Sequence, residues 1–347
     1  MKRLAFLAVL LLAACNSSEE KKTPKMPFSR VEVQPLLEDS ISIRAIEIMG
    51  SNLAFAGSNG HYGLYNSAED EVKLNRQQYD SIYPEFRAVG STENDFFMLS
   101  VGNPALLYKT GDSGKMELVY KEENEKVFYD SMIFWNDKEG IAMGDPTENC
   151  LSVIVTRDGG NSWKKLNCED LPEAAEGEAA FAASNSNIAV QGNKTWIISG
   201  GKKSRIFFSP DKGESWEVYE TPIVQGKETQ GAYSVDFYDA QQGIMVGGDY
   251  TAPEGNSANK AVTKDGGKTW QLISEGNGPG YKSSVRYVPG GAAKEIVAVG
   301  FTGISYSSDG GKNWKEISEE GFYTIRFLND SIAYAAGKNR LAKLIFR

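Results

Sequence analysis

The chain has 347 residues, with 37 Lys and Arg against 46 Asp and Glu, a formal net charge of −9. Hydrophobic residues make up 41% and charged residues 24%, a globular balance that excludes a disordered or fibrous chain. The acidic excess argues against nucleic acid, and a single histidine, His61, excludes any two-histidine metal motif.

Residues 1–14 read as a lipoprotein signal peptide. Lys2 and Arg3 open it, and Leu4 to Ala14 is apolar, too short for the about 20 residues that span a bilayer. The run ends Leu12-Ala13-Ala14-Cys15, the form of a bacterial lipoprotein cleavage box, which makes Cys15 the lipidation site. The alternative is an ordinary signal peptide with a chance Cys. Residues 15–29, the lipidated Cys and a polar, proline-containing stretch, suit a flexible tether. The expectation is an exported protein, lipid-anchored to a bacterial membrane on its periplasmic or cell-surface face. Glu19 and Glu20, close behind the Cys, resemble surface-export signals.

Residues 30–347 are governed by repeats. The pattern Ser/Thr-x-Asp-x-Gly-x-x-Trp occurs as TRDGGNSW (156–163), SPDKGESW (209–216), TKDGGKTW (263–270) and SSDGGKNW (307–314), with a worn copy TGDSGKME (110–117). Its aspartates are Asp112, Asp158, Asp211, Asp265 and Asp309. This is the Asp-box: the carboxylate accepts bonds from turn amides, Gly permits positive φ, and Trp packs between strands. A second repeat is independent. Short β-rich runs end at Gly57, Gly102, Gly144, Gly200, Gly247, Gly300 and Gly337, about 47 residues apart on average, within the range of a four-stranded propeller blade. No long segment has helical periodicity.

The reading is one all-β domain, a seven-bladed β-propeller with Asp-box repeats. Its last unit lacks a fourth strand, which residues 30–34 (RVEVQ) can supply, closing the ring. Cys150 and Cys168 flank the box turn at 156–163. A hairpin there sets them opposite each other, which allows a disulfide in an oxidising compartment; two free structural thiols are the alternative.

The body resembles the bacterial propeller family related to the photosystem II stability/assembly factor. The stretches that carry the resemblance are SIRAIEI (42–48), FYDSMIFWNDKEGIAMGDP (128–146), GEAAFAAS (177–184), SRIFFSPDKGESW (204–216), GIMVGGDY (243–250) and YKSSVRYVPG (281–290). It is similar to the non-photosynthetic, lipid-anchored branch, whose members often carry an oxidoreductase label. The plant and cyanobacterial branch implies a chaperone that holds a membrane-protein assembly intermediate.

Propeller connectivity sets the Asp-box turns on one face and the inner-strand starts on the other. Counting back from the blade glycines gives Arg44, Arg87, Asp130, Ser186, Ser234, Ser284 and Thr324 as a ring at one channel mouth. Nearby loops add Asp145, Glu178, Asp249, Tyr250 and Tyr281, and Arg205 opens a third strand close by. Charges at such positions cost several kcal/mol to bury unpaired. Either they form a ligand or peptide pocket, or Arg–carboxylate pairs knit adjacent blades. Trp163, Trp216, Trp270 and Trp314 are structural box residues, and His61 is an exposed loop residue. The long loop 251–259 could act as a lid or partner contact.

No phosphate loop and no dinucleotide fingerprint occurs. The favoured function is a monomeric, membrane-tethered, non-catalytic binding or assembly propeller with an envelope protein or peptide as partner, no cofactor and no metal. The alternatives are a sialidase-like glycoside hydrolase using two of Asp130, Asp145, Glu178 and Asp249, and a quinone-type oxidoreductase.

Overall fold

The computed structural model describes residues 26–111 and 114–347. The proposed signal peptide, Cys15, most of the tether and Asp112 therefore lie outside the described residues. Apart from two short 3-10 turns, Ser58–Gly60 and Cys168–Asp170, the regular elements are antiparallel strands. No described helix is long and apolar enough to cross a membrane.

The strands build a β-propeller. The innermost strands Val31–Met49, Glu85–Ser91, Tyr129–Phe134, Ile188–Gln191, Gln230–Phe237, Ser284–Tyr287 and Thr324–Phe327 contact one another in sequence, and the last returns to the first. Each hydrophobic core lies between neighbouring sheets. One unites Ala88, Phe97 and Leu107 with Tyr129, Met132 and Ile154; another unites Trp196 and Phe208 with Val235 and Met245.

The expectation of seven separate blades is corrected: counted as hydrogen-bonded sheets, the ring has six. The cause is strand length. Val31–Met49 pairs with Ile332–Phe346 over residues 31–42 and with Asn52–Gly57 over residues 43–49. The final strands, Thr324–Phe327 and Ile332–Phe346, thereby join the first four in one six-stranded sheet. The N-terminal pairing with the C-terminal strand ties the two ends of the described chain together and leaves no seam in the ring.

The box turns are held by their own side chains. Asp158 Oδ1 accepts from Thr156 Oγ1 (2.9 Å) and the Ser162 amide (3.0 Å), and Oδ2 accepts from Ser162 Oγ (2.6 Å). Asp211, Asp265 and Asp309 repeat the arrangement. Partial burial opposes ionisation of Asp158, but these donors outweigh it and hold the carboxyl below its ordinary value. The turns rest on the loops between first and second strands: the Gly159 amide donates to Lys138 O, Gly266 to Gln241 O and Gly310 to Lys294 O. Beside the first complete box, Cys150 and Cys168 are joined by a disulfide with Cα atoms 5.4 Å apart.

The central channel is filled by residues 184–187, Ser-Asn-Ser-Asn, all buried. Ser184 Oγ donates to Ser283 O (2.6 Å), and Thr324 Oγ1 donates to Ser184 O (2.9 Å). Asn185 Nδ2 donates to Val89 O (2.8 Å), and its Oδ1 accepts from the Met132 amide (2.9 Å). Arg286 Nη2 donates to Ser186 Oγ (3.0 Å) and Arg326 Nη2 to Asn185 O (2.8 Å). Ser186 thus belongs to this plug, and the inner strand after it begins at Ile188.

Asn185 has a positive φ of 54°, so Asn185→Gly leaves the backbone accessible and removes only the side-chain bonds. Two buried backbone groups lose their partners, and the expected loss is about 1–3 kcal/mol in a denaturant titration. An unchanged midpoint would show that the plug bonds carry no stability.

Candidate functional site

The plug divides the channel into two mouths with different electrostatics. The mouth on the Asp-box side is lined by Glu47, Asp236, Arg286 and Arg326 around Asn185. Its charges are paired: Arg326 lies 3.8 Å from Glu47, and Arg286 lies 3.9 Å from Asp236. Burial, then Arg286, pushes Arg326 down to about 9.

The opposite mouth opens a cavity of about 550 Å³. It is lined by Arg44, Arg87, Asp145, Tyr250 and Tyr281, and by residues the sequence reading did not single out: Glu228 and the aromatic Phe128, Phe181, Tyr233, Phe301 and Tyr323. Phe181 and Tyr233 stack with centroids 3.8 Å apart. Tyr281 meets Tyr233 edge-on at 4.8 Å and Phe301 at 5.3 Å. Two rings on this wall are open to solvent, Tyr250 (47% exposed) and Phe301 (46%).

Arg44 is held by a ring, and Arg87 lies between a ring and a carboxylate. Arg44 Cζ sits 4.1 Å from the Tyr323 ring centroid, and Arg87 Cζ sits 5.9 Å from that of Phe128. Arg44 Nη1 makes one long bond to Ala183 O (3.5 Å). Arg87 Nε lies 3.5 Å from Glu85 without hydrogen-bond geometry, and the Nε of both arginines is buried without a hydrogen-bond partner. Burial, then the neighbouring Arg87, lowers the Arg44 pKa.

The nominated carboxylates separate into distinct roles. Asp145 lines the cavity and accepts from the Ala180 amide (2.7 Å); burial pushes it up to about 6. Asp130 is fully buried, and neither of its oxygens accepts a well-formed hydrogen bond. Burial, and then Asp145, raises its pKa well above the ordinary carboxylate range. Glu178 is clamped by Arg205, whose Nε lies 3.0 and 3.1 Å from its two oxygens, and also accepts from Ser199 Oγ and the Ala175 amide. That pair ties neighbouring elements and does not face the cavity. Asp249 caps a turn, accepting from the amide and hydroxyl of Thr251 (3.0 and 2.6 Å).

The remaining nominated positions lie elsewhere. Ser234, Ser284 and Thr324 are fully buried against the plug or its neighbours; Ser234 Oγ accepts from the Val285 amide (3.0 Å). His61 is half-buried, with Nδ1 2.9 Å from Ser58 O. Loop residues Pro253, Glu254 and Asn256 line a separate cavity of about 290 Å³ with Lys282 and Trp314. Among the described residues, no group of His, Cys, Asp and Glu is placed to hold a metal ion. The missed rings had a sequence signal: Tyr233 and Tyr323 stand one residue before the nominated Ser234 and Thr324.

No family model and no curated protein matches the chain. Solved structures do. YCF48 bound to D1 peptide superposes with a TM-score of 0.66 at 14% identity, covering 94% of this chain and 99% of that one. YCF48 from Cyanidioschyzon merolae gives 0.61 at 13% identity, covering 92% and 98%. U3-55K gives 0.61 at 11% identity, covering 92% and 100%. The likeness establishes the β-propeller fold over nearly the whole chain.

The raised carboxyl of Asp145 has a stability consequence. Its folded pKa of about 6 exceeds the unfolded value of about 3.9, so folding binds a proton that is lost as pH rises between them. Asp145 therefore costs stability once pH passes that window. Asp145→Asn, which keeps the acceptor for Ala180, is expected to gain stability over wild type progressively from about pH 4 to about pH 6 and then level off. Parallel denaturation curves across that range check it; a pH-independent difference would contradict the assignment.

Proposed function

We propose that the protein is a non-catalytic binding or assembly propeller that docks a peptide segment of a protein partner at the Arg44–Arg87 mouth. The observation that carries this is a cavity holding two guanidinium groups whose Nε atoms lack hydrogen-bond partners, ringed by aromatic side chains. Such a surface suits an apolar or aromatic peptide segment with an acidic group: rings bury its side chains, and the arginines receive the charge. The fold shared with YCF48, which has been solved bound to a D1 peptide, supports a peptide as ligand, as does the sequence resemblance to assembly-factor propellers.

A lipid on Cys15 and the tether after it would hold this mouth at the surface of a bacterial membrane, where an envelope protein is the natural partner. The glycosidase reading is weaker on geometry. It needs two carboxylates facing one substrate. Of the four nominated, Glu178 is clamped by Arg205, Asp130 is buried and Asp249 caps a turn, which leaves Asp145; the other carboxylate on the cavity, Glu228, was not among them.

The test is crosslinked capture from native membranes with wild type and an Arg44→Glu/Arg87→Glu variant. Charged hydrogen bonds contribute about 1.5–3 kcal/mol each, so capture is expected to weaken by at least about tenfold with an unchanged melting profile. Equal capture by a folded variant would remove the mouth as the docking site.

A further inference from the structure

The worn Asp-box leaves a structural mark. In four sheets the box Trp stands opposite the Ser or Thr that opens the motif, as the pairs Val155–Lys164, Phe208–Glu217, Val262–Gln271 and Tyr306–Lys315 require. Trp163, Trp216, Trp270 and Trp314 then pack into the core shared with the preceding sheet. In the second sheet Thr110 pairs directly with Met116. The turn is one residue shorter, and Met116 occupies the position of the indole.

A thioether fills less space than an indole. The space beside it is a cleft of about 560 Å³ between the first and second sheets. Met49, Ala54, Tyr62 and Leu64 form one wall, and Phe96 and Met116 form the other. Lys73, Asn75 and Glu93 supply a polar rim. Leu118 (41% exposed) stands two residues beyond Met116 on the outermost strand of the second sheet.

We infer that this cleft binds the tryptophan side chain of a partner peptide. The occupant is argued from the molecule itself: the corresponding position in four other sheets is filled by an indole. The lining suits the same group, because Met49 and Met116 are polarisable and adaptable and sulfur contacts aromatic rings favourably. Tyr62 and Phe96 offer ring partners, and the outermost strands offer unpaired edges along which a peptide backbone can lie. This site is separate from the arginine mouth and does not depend on it.

The test uses full-length protein carrying ¹³C-methyl methionine, titrated with N-acetyl-tryptophanamide. The methyl resonances of Met49 and Met116 are expected to shift, while those of Met143 and Met245, buried in other cores, stay in place. Met116→Trp is expected to fill the cleft with the chain's own indole, raise the melting temperature and abolish the Met49 shift. Leu64→Glu, which puts a charge in the cleft, is expected to abolish both shifts. No movement of Met49 or Met116 at millimolar probe, or shifts that persist in the Met116→Trp or Leu64→Glu protein, would overturn the inference.

Discussion

The hydrogen bonds that seat residues 184–187 in the channel are the constraint on which the rest depends. A propeller channel exposes the polar starts of its inner strands, and buried polar groups without partners are costly. Here the plug answers several of them, while Asp130 and the side-chain amide of Asn187 stay without hydrogen-bond partners. Its hydroxyls, amides and carbonyls engage Val89, Met132, Ser283, Thr324 and Arg326, drawn from sheets around the ring. Once Ser284 and Thr324 serve the plug, they are no longer available to a ligand. The groups above the plug that face the cavity are arginines, aromatic rings and the carboxylates of Asp145 and Glu228.

That division accounts for the different character of the two mouths. On the Asp-box side, Arg286 and Arg326 have Asp236 and Glu47, so the buried charges balance internally. On the other side, Arg44 rests on Tyr323 and Arg87 lies between Phe128 and Glu85, and burial raises the pKa of Asp130 and Asp145. The two guanidinium groups share the cavity with Asp145 and Glu228, in a chain whose total charge is −9. A protein that is acidic overall thus keeps two arginines in a pocket with aromatic walls, placed to receive the acidic group of a peptide segment.

What could be read from the sequence was the chemistry that acts locally. An Asp-box closes on itself within eight residues, so its spacing marks the repeat, and small residues recur where second strands pass close to the inner ones. Sheet continuity was not legible, because whether two units share a hydrogen-bonded strand depends on how far Val31–Met49 and Ile332–Phe346 run, and period alone says nothing about that. Ser186 was misplaced for a related reason: a plug of small polar residues before Ile188 reads like the start of a strand. The Glu178–Arg205 clamp joins residues 27 apart and required the fold to be seen. The aromatic wall was not legible because its rings come from separate strands and loops that only the closed ring brings together, although Tyr233 and Tyr323 adjoin Ser234 and Thr324.

The central claim is that a peptide partner meets the arginine mouth and not the Asp-box face. The most direct measurement places a photo-crosslinking benzoyl-phenylalanine at Tyr250, beside the cavity, and separately at Tyr238, an exposed ring outside it. The account predicts one discrete crosslinked partner from position 250 and none from position 238. A discrete partner from position 238 with none from position 250 would contradict it.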